Sequence, residues 1–149
     1  MHAFPDFPVP VVQLSINAYQ PLDYHLELGA KLAPLRERGI LIMASGNVVH
    51  NLGAMESSLP DSGFEWAQHF DDAARALILD HPAAAARLQE HADYRSAAPT
   101  PDHFIPLLYF ARLAAADDGR AKMLTDGCAY GSLSMASYTL GPDGDQTNI

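Results

Sequence analysis

Seven histidines, at positions 2, 25, 50, 69, 81, 91 and 103, are the side chains of this sequence best suited to acid–base or metal chemistry. None of them makes a close ligand pair of the His-x-x-x-His kind, so spacing alone does not define a metal site. Two stand out by their settings. The run Ile40-Leu41-Ile42-Met43-Ala44 breaks at Ser45-Gly46-Asn47, and His50 follows. A short unbroken apolar run reads as a strand buried on both faces, and the turn after it presents His50 beyond the strand's C-terminal end, where open α/β sheets keep their chemistry. A lone histidine there is ordinarily a packing or surface residue; in the active reading it takes and returns protons, because imidazole titrates near neutrality. His103 follows Thr100-Pro101-Asp102, a sequence that suits the N-cap and first turn of a helix. The positive end of the helix dipole favours the neutral ring that a metal needs.

The remaining candidates read more simply. His25 falls early in an amphipathic helix and suits a structural role. Glu65 and His69 share a helix face at four-residue spacing and make a solvated pair. His81 and His91 flank an alanine-rich stretch and carry no argument. Tyr130, Ser132 and Ser134 fit either the lining of a phenol-binding pocket or a hydrogen-bonded scaffold. Cys128 sits in an apolar run and reads as a buried small residue.

The elements that must position these groups can be read in order. Val9 to Ile16 is a β-rich run entered through Pro8 and Pro10. Pro21 opens a helix with Leu22, Leu26, Gly29 and Ala33 on one face, ended by Gly39, with Pro34 expected to kink its last turn. Strand, helix and the buried run from Ile40 make a βαβ unit, which implies parallel strands. Gly53 to Gly63 is a loop beside His50, a candidate rim or lid. Ser62 and Glu65 suggest a capping box for a helix to about Asp80, with Trp66, Ala67, Phe70, Ala74, Leu77 and Ile78 inward. A short helix from Pro82, a loop from Asp93 to Pro99, and a helix with Phe104, Leu107, Leu108, Ala111 and Ala115 on its apolar face come next. Cys128 to Leu140 reads as one long strand, and Gly141 to Ile149 as a flexible tail. The expected fold class is α/β, a mostly parallel central sheet flanked by helices. The strands are few for so much helix, as in a partial domain.

Nine basic against eighteen acidic residues give a formal charge of −9, which opposes nucleic acid and anionic membrane surfaces as partners. With Cys128 as the single cysteine no internal disulfide forms, and neither a leader nor a membrane span is legible, so a soluble, cytoplasmic protein is expected.

Four stretches carry a resemblance: Val11-Val12-Gln13-Leu14-Ser15-Ile16, Ser45 to Leu52, Pro99 to Leu108, and Gly131-Ser132-Leu133-Ser134-Met135. Together they make the chain similar to the class III extradiol ring-cleavage dioxygenases, in the branch that acts on DOPA. The resemblance runs from Phe4 to about Gly141 and corresponds to the second half of a polypeptide roughly twice as long, so residues 1–140 would be the C-terminal portion of the catalytic domain. It implies cleavage of a catechol-type ring by dioxygen at a non-haem metal, Fe(II) or Zn(II). His103 matches the family's C-terminal metal-binding position. His50 matches the acid–base histidine at the metal and is a second candidate ligand where that metal is zinc. The family's two further histidine ligands lie in the half that has no counterpart here, and His2 is no substitute. The resemblance therefore implies either a second subunit or a homo-oligomer that supplies them, or a non-catalytic, metal-binding remnant.

Overall fold

The computed structural model describes residues 10–117 and 121–141. Helix α1, Leu22–Glu37, begins after Pro21, whose fixed φ of −64° and missing N–H suit the position before a first turn. It runs on through Pro34 and closes at Gly39, where a φ of +75° lets the chain reverse and its amide bond the Arg36 carbonyl at 3.0 Å. Helix α4, Ile105–Ala116, lies against α1. The approach is close because Gly29 has no side chain: a Cβ there would stand 2.9 Å from the Arg112 Cβ and 3.2 Å from the Tyr109 backbone. His25 is fully buried in this contact, its Nδ1 2.8 Å from the Tyr109 hydroxyl.

Helix α2, Glu65–Asp80, turns Ala67, Phe70, Asp71, Ala74 and Ile78 into the core, while Trp66 and Leu77 are half-buried. The expected Ser62 cap does not form, since Phe64 occupies the capping position without a side-chain bond. Residues 62–64 are instead pinned to a hairpin: the Gly131 amide donates to the Ser62 carbonyl at 2.9 Å, and the Phe64 amide to the Gly131 carbonyl at 2.7 Å. Pro82–Glu90 forms 3-10 turns, and the expected loop after Asp93 contains the one-turn helix α3, Tyr94–Ala97. Phe70, Ile78, Leu88, Phe104, Ile105 and Leu108 are the large apolar side chains fully withdrawn from water.

The sheet differs from expectation. Cys128 to Leu140 is not one strand. It divides into β2, Cys128–Ala129, β3, Leu133–Ser134, and β4, Ser137–Leu140. Tyr130 and Gly131, with φ of 50° and 76°, fold β2 back onto β3, and β4 pairs with β1, Ala121–Thr125. Both pairings are antiparallel, so among the described residues the mostly parallel central sheet is absent. Of the two runs expected to form it, residues 10–16 and 41–46 make no backbone hydrogen bond among the described residues. Val11 and Val12 are 89% and 92% exposed and Met43 75%. β-Rich composition marks a segment that suits a pleated surface, but parallel pairing needs neighbouring strands from elsewhere, and no described segment provides them. Val9 and the expected tail from 142 onward lie outside the described residues. No described helix is long and apolar enough to cross a membrane.

Candidate functional site

The segment Asn47 to Asn51 is held by backbone and side-chain bonds to three other parts of the chain. The His50 amide donates to the Ala97 carbonyl at 2.8 Å, the Asn51 amide to Ser132 at 3.2 Å, and the Ser134 amide to Val49 at 2.9 Å. The Asn47 side chain donates to the Ser134 carbonyl at 2.7 Å and that of Asn51 to the Ser96 carbonyl at 2.8 Å. Val48, Val49 and His50 are buried as a result. The His50 ring is fixed at both nitrogens, with Nδ1 3.0 Å from the Asn47 carbonyl and Nε2 2.7 Å from the Thr100 carbonyl. Carbonyls only accept. A neutral imidazole therefore serves one of the two, and a doubly protonated ring serves both.

His103 lies in the turn before α4 rather than within its first turn, because the Phe104 and Ile105 amides both bond back to the Pro101 carbonyl, at 3.0 and 2.8 Å. Its ring is half-exposed, with Nε2 3.8 Å from the Asp102 carboxylate. The Thr100 side chain, hydrogen-bonded to Asp102, holds that carboxyl below its usual range. Gly46 sets the position of this turn: a Cβ there would overlap the His103 carbonyl oxygen and lie 3.1 Å from its carbon. The turn after the Ile40 run and the turn before α4 are thus in direct backbone contact. The rings of His50 and His103 meet across it, their centroids 5.2 Å apart and their planes inclined by 40°. His103 opens on a cleft of about 530 Å³ whose walls include Leu41, Ile42, Gly46, Phe110 and Tyr138.

The other candidates separate from this pair. His25 has its ring enclosed between Tyr24 and Tyr109, and burial lowers its pKa from the ordinary 6.5 against opposing bonds from the Asn17 and Gln20 backbone. His69 and Glu65 are exposed and 3.9 Å apart. His91 packs edge-on to Phe70. Ser132 and Ser134 are buried scaffold: the Ser132 hydroxyl donates to the Asn51 carbonyl at 2.7 Å and the Ser134 hydroxyl to Asp71 at 2.5 Å. Asp71 is the residue that reading for chemistry passed over. Burial raises its pKa, the Ser134 bond opposes this, and Asp126 and Asp72 add to the rise. Its signal was available, since position 71 falls on the same stripe as Ala67, Ala74 and Ile78. Burial, with the neighbouring Asp71, pushes the Cys128 thiol up to about 11.

The site thus joins a buried histidine after one turn, a half-exposed one before a helix, and a cleft beside the second. Residues 1–141 match the family described as the catalytic LigB subunit of aromatic ring-opening dioxygenase, and the chain belongs to that family. It is 39% identical over 144 residues to the 4,5-DOPA dioxygenase extradiol of Escherichia coli K12, a match covering 93% of this chain and 52% of the relative. It is 30% identical over 141 residues to the protein of the same name from Beta vulgaris, again covering 93% of this chain and 52% of the relative. The crystal structure of an uncharacterized Escherichia coli K12 protein superposes with a TM-score of 0.74 at 37% identity, over 85% of this chain and 53% of that one. The chain thus spans about half the length of the curated relatives it matches.

Dioxygenases of this family are generally dependent on a non-haem metal. His103, half-exposed beside a cleft, fits as one donor to such an ion. Both His50 nitrogens face carbonyls, and no three histidine, cysteine, aspartate or glutamate side chains cluster among the described residues. A complete ligand set is therefore not present in the described part of the chain.

Proposed function

We propose that this chain carries part of a catechol-cleaving extradiol centre, with His103 as one ligand of a non-haem Fe(II) or Zn(II) ion and His50 as the acid–base group beside it. The observation that supports this reading is the meeting of two imidazoles, 5.2 Å between centroids, from motifs far apart in sequence. When bound, such an ion would bring an electron-rich ring and dioxygen to one centre. A DOPA-like catechol sheds protons on binding and needs one returned as its ring opens, and an imidazole can do both near neutral pH. The His50 ring is held between the Asn47 and Thr100 carbonyls, and its burial limits contact with bulk water. The remaining metal donors lie outside the described residues, which alone do not complete the centre.

One observation favours a second reading. With both ring nitrogens engaged by carbonyls, His50 also suits a non-catalytic module in which it only ties two turns together. The experiment mixes the chain with the half of the Escherichia coli relative that it does not match, adds Fe(II) and DOPA, and follows protein-bound metal by elemental analysis and the yellow ring-opened product by absorbance. We expect stoichiometric metal and product only in the mixture. His50→Ala should abolish the product and keep the metal, whereas His103→Ala should lose both. Metal and product that survive both substitutions would overturn the assignment, and metal without product would leave the non-catalytic module.

A further inference from the structure

We propose that Asp71 is a positioning residue for His50: acting through Ser134 and Asn47, its carboxyl group fixes the carbonyl against which His50 Nδ1 rests. The meaning of this for catalysis rests on the proposed acid–base role of His50; the connection itself rests on hydrogen bonds among the described residues.

The connection is three contacts long. The Ser134 hydroxyl donates to Asp71 Oδ1 at 2.5 Å, the Asn47 side chain donates to the Ser134 carbonyl at 2.7 Å, and the Asn47 carbonyl stands 3.0 Å from His50 Nδ1. A closed ring of atoms joins the Ser134 hydroxyl to the Ser134 carbonyl. The Ala136 amide donates to Ser134 Oγ at 3.2 Å, and the ring so formed runs through the peptide between Ser134 and Met135. Ser134 Oγ therefore cannot turn without tilting that peptide or releasing Ala136. The Met135 amide of the same peptide donates to the Gly127 carbonyl at 2.8 Å, so Asp71 governs the tilt of the Ser134 carbonyl about an edge that is already held. On the far side of the ring, the Thr100 carbonyl lies 2.7 Å from His50 Nε2. The imidazole is thus gripped at two points, and one of them traces back to a buried carboxyl group.

Asp71 is a costly residue for packing alone. It is 4% exposed, on the stripe of α2 that otherwise carries Ala67, Phe70, Ala74 and Ile78. Burial raises its pKa, and burial followed by the Asp71 charge also raises the Cys128 thiol and the Tyr138 hydroxyl, so the carboxyl group stands in poorly solvated surroundings. An apolar pair at 71 and 134 would avoid that cost. What it would not supply is an acceptor that orients one hydroxyl, and with it the carbonyl that holds Asn47.

The test uses no metal and no substrate, so its failure is separate from failure of the catalytic reading, which the mixture with the Escherichia coli half decides. The ring-nitrogen resonances of His50, identified by their loss in His50→Gln, are compared by NMR between the parent chain and its variants. We expect Asp71→Ala to shift the Nδ1 resonance, and Ser134→Ala and Asn47→Ala to shift it in the same sense. Asp71→Asn keeps an acceptor for Ser134 and should leave the resonance at its parental position. Ile78→Val, a truncation in the same helix with a comparable loss of stability, should leave it there too, which separates positioning from general loosening of the core. Should Asp71→Ala not fold by circular dichroism, Ser134→Ala breaks the same link from its other end. An unmoved Nδ1 resonance in the folded variants would overturn the inference. So would an equal shift in Ile78→Val, or one in Asp71→Asn as large as in Asp71→Ala.

Discussion

Gly46→Ala is the smallest change that separates the two turns of the candidate site. The added methyl would overlap the His103 carbonyl oxygen and stand 3.1 Å from the carbonyl carbon and 3.2 Å from Pro106 Cγ. Carbon atoms pack best at about 3.5–4.0 Å, so the turn before α4 must retreat by roughly 1 Å. The obstacle is backbone followed by a proline ring, and neither can swing aside as a flexible side chain would. Overpacking of this kind costs about 1–3 kcal/mol. With a urea slope of about 1–3 kcal/mol per molar for a small domain, the midpoint should fall by roughly 1 M. Retreat of the turn also moves His103 away from His50, and the proton resonances of both rings should shift. Gly53→Ala is the control, since its nearest neighbour is 3.5 Å away, and it should stay within about 0.5 kcal/mol of the parent. A Gly46→Ala protein that melts with the parent and keeps both ring spectra would refute the close approach.

Further outcomes follow from the buried polar groups. For Asp71, a carboxyl whose pKa is raised by burial, the unfolded chain gives up its proton first as pH rises, so stability falls through the interval above 3.8 and stays lower beyond the folded pKa. Asp71→Asn keeps an acceptor for Ser134 and should raise stability at pH 7 by about 1 kcal/mol, whereas Asp71→Ala should lower it by about 1–3 kcal/mol by stranding the hydroxyl; urea titrations measure both. The sign reverses for His25. Its pKa is depressed by burial, so its stabilisation is full above 6.5 and is lost as pH falls below that value, and His25→Gln should flatten this limb of the stability curve. With its thiol pushed up to about 11, Cys128 should react with a disulfide reagent at pH 8 far more slowly in the folded chain than in urea; equal rates would contradict its burial.

The helices were legible because their signals are local. Pro21, Gly39 and the spacing of Ala67, Phe70, Ala74 and Ile78 act within a few residues of themselves. The two histidines were legible through their motifs, and the structure brings their rings together. The sheet was not, because Val11 or Met43 specifies a liking for strand neighbours without supplying them. Glycines 46 and 131 explain other departures: one lets two turns touch, and the other folds the expected long strand into a hairpin that also displaces the Ser62 cap. Which carbonyls would enclose His50 depended on Thr100, and nothing in the order of residues joins positions 50 and 100.

The contact of α1 with α4 through Gly29 and His25 has a mechanical consequence. Residues 10–16 and 40–44 are attached to opposite ends of α1, a rod of about 24 Å by its helical rise. Packed on α4, the rod holds both attachments at a fixed spacing, so neither segment can shift without the other unless this contact gives way. Gly29→Leu would force α1 and α4 apart, since even a Cβ there stands 2.9 Å from the Arg112 Cβ, and would loosen that spacing without touching either segment.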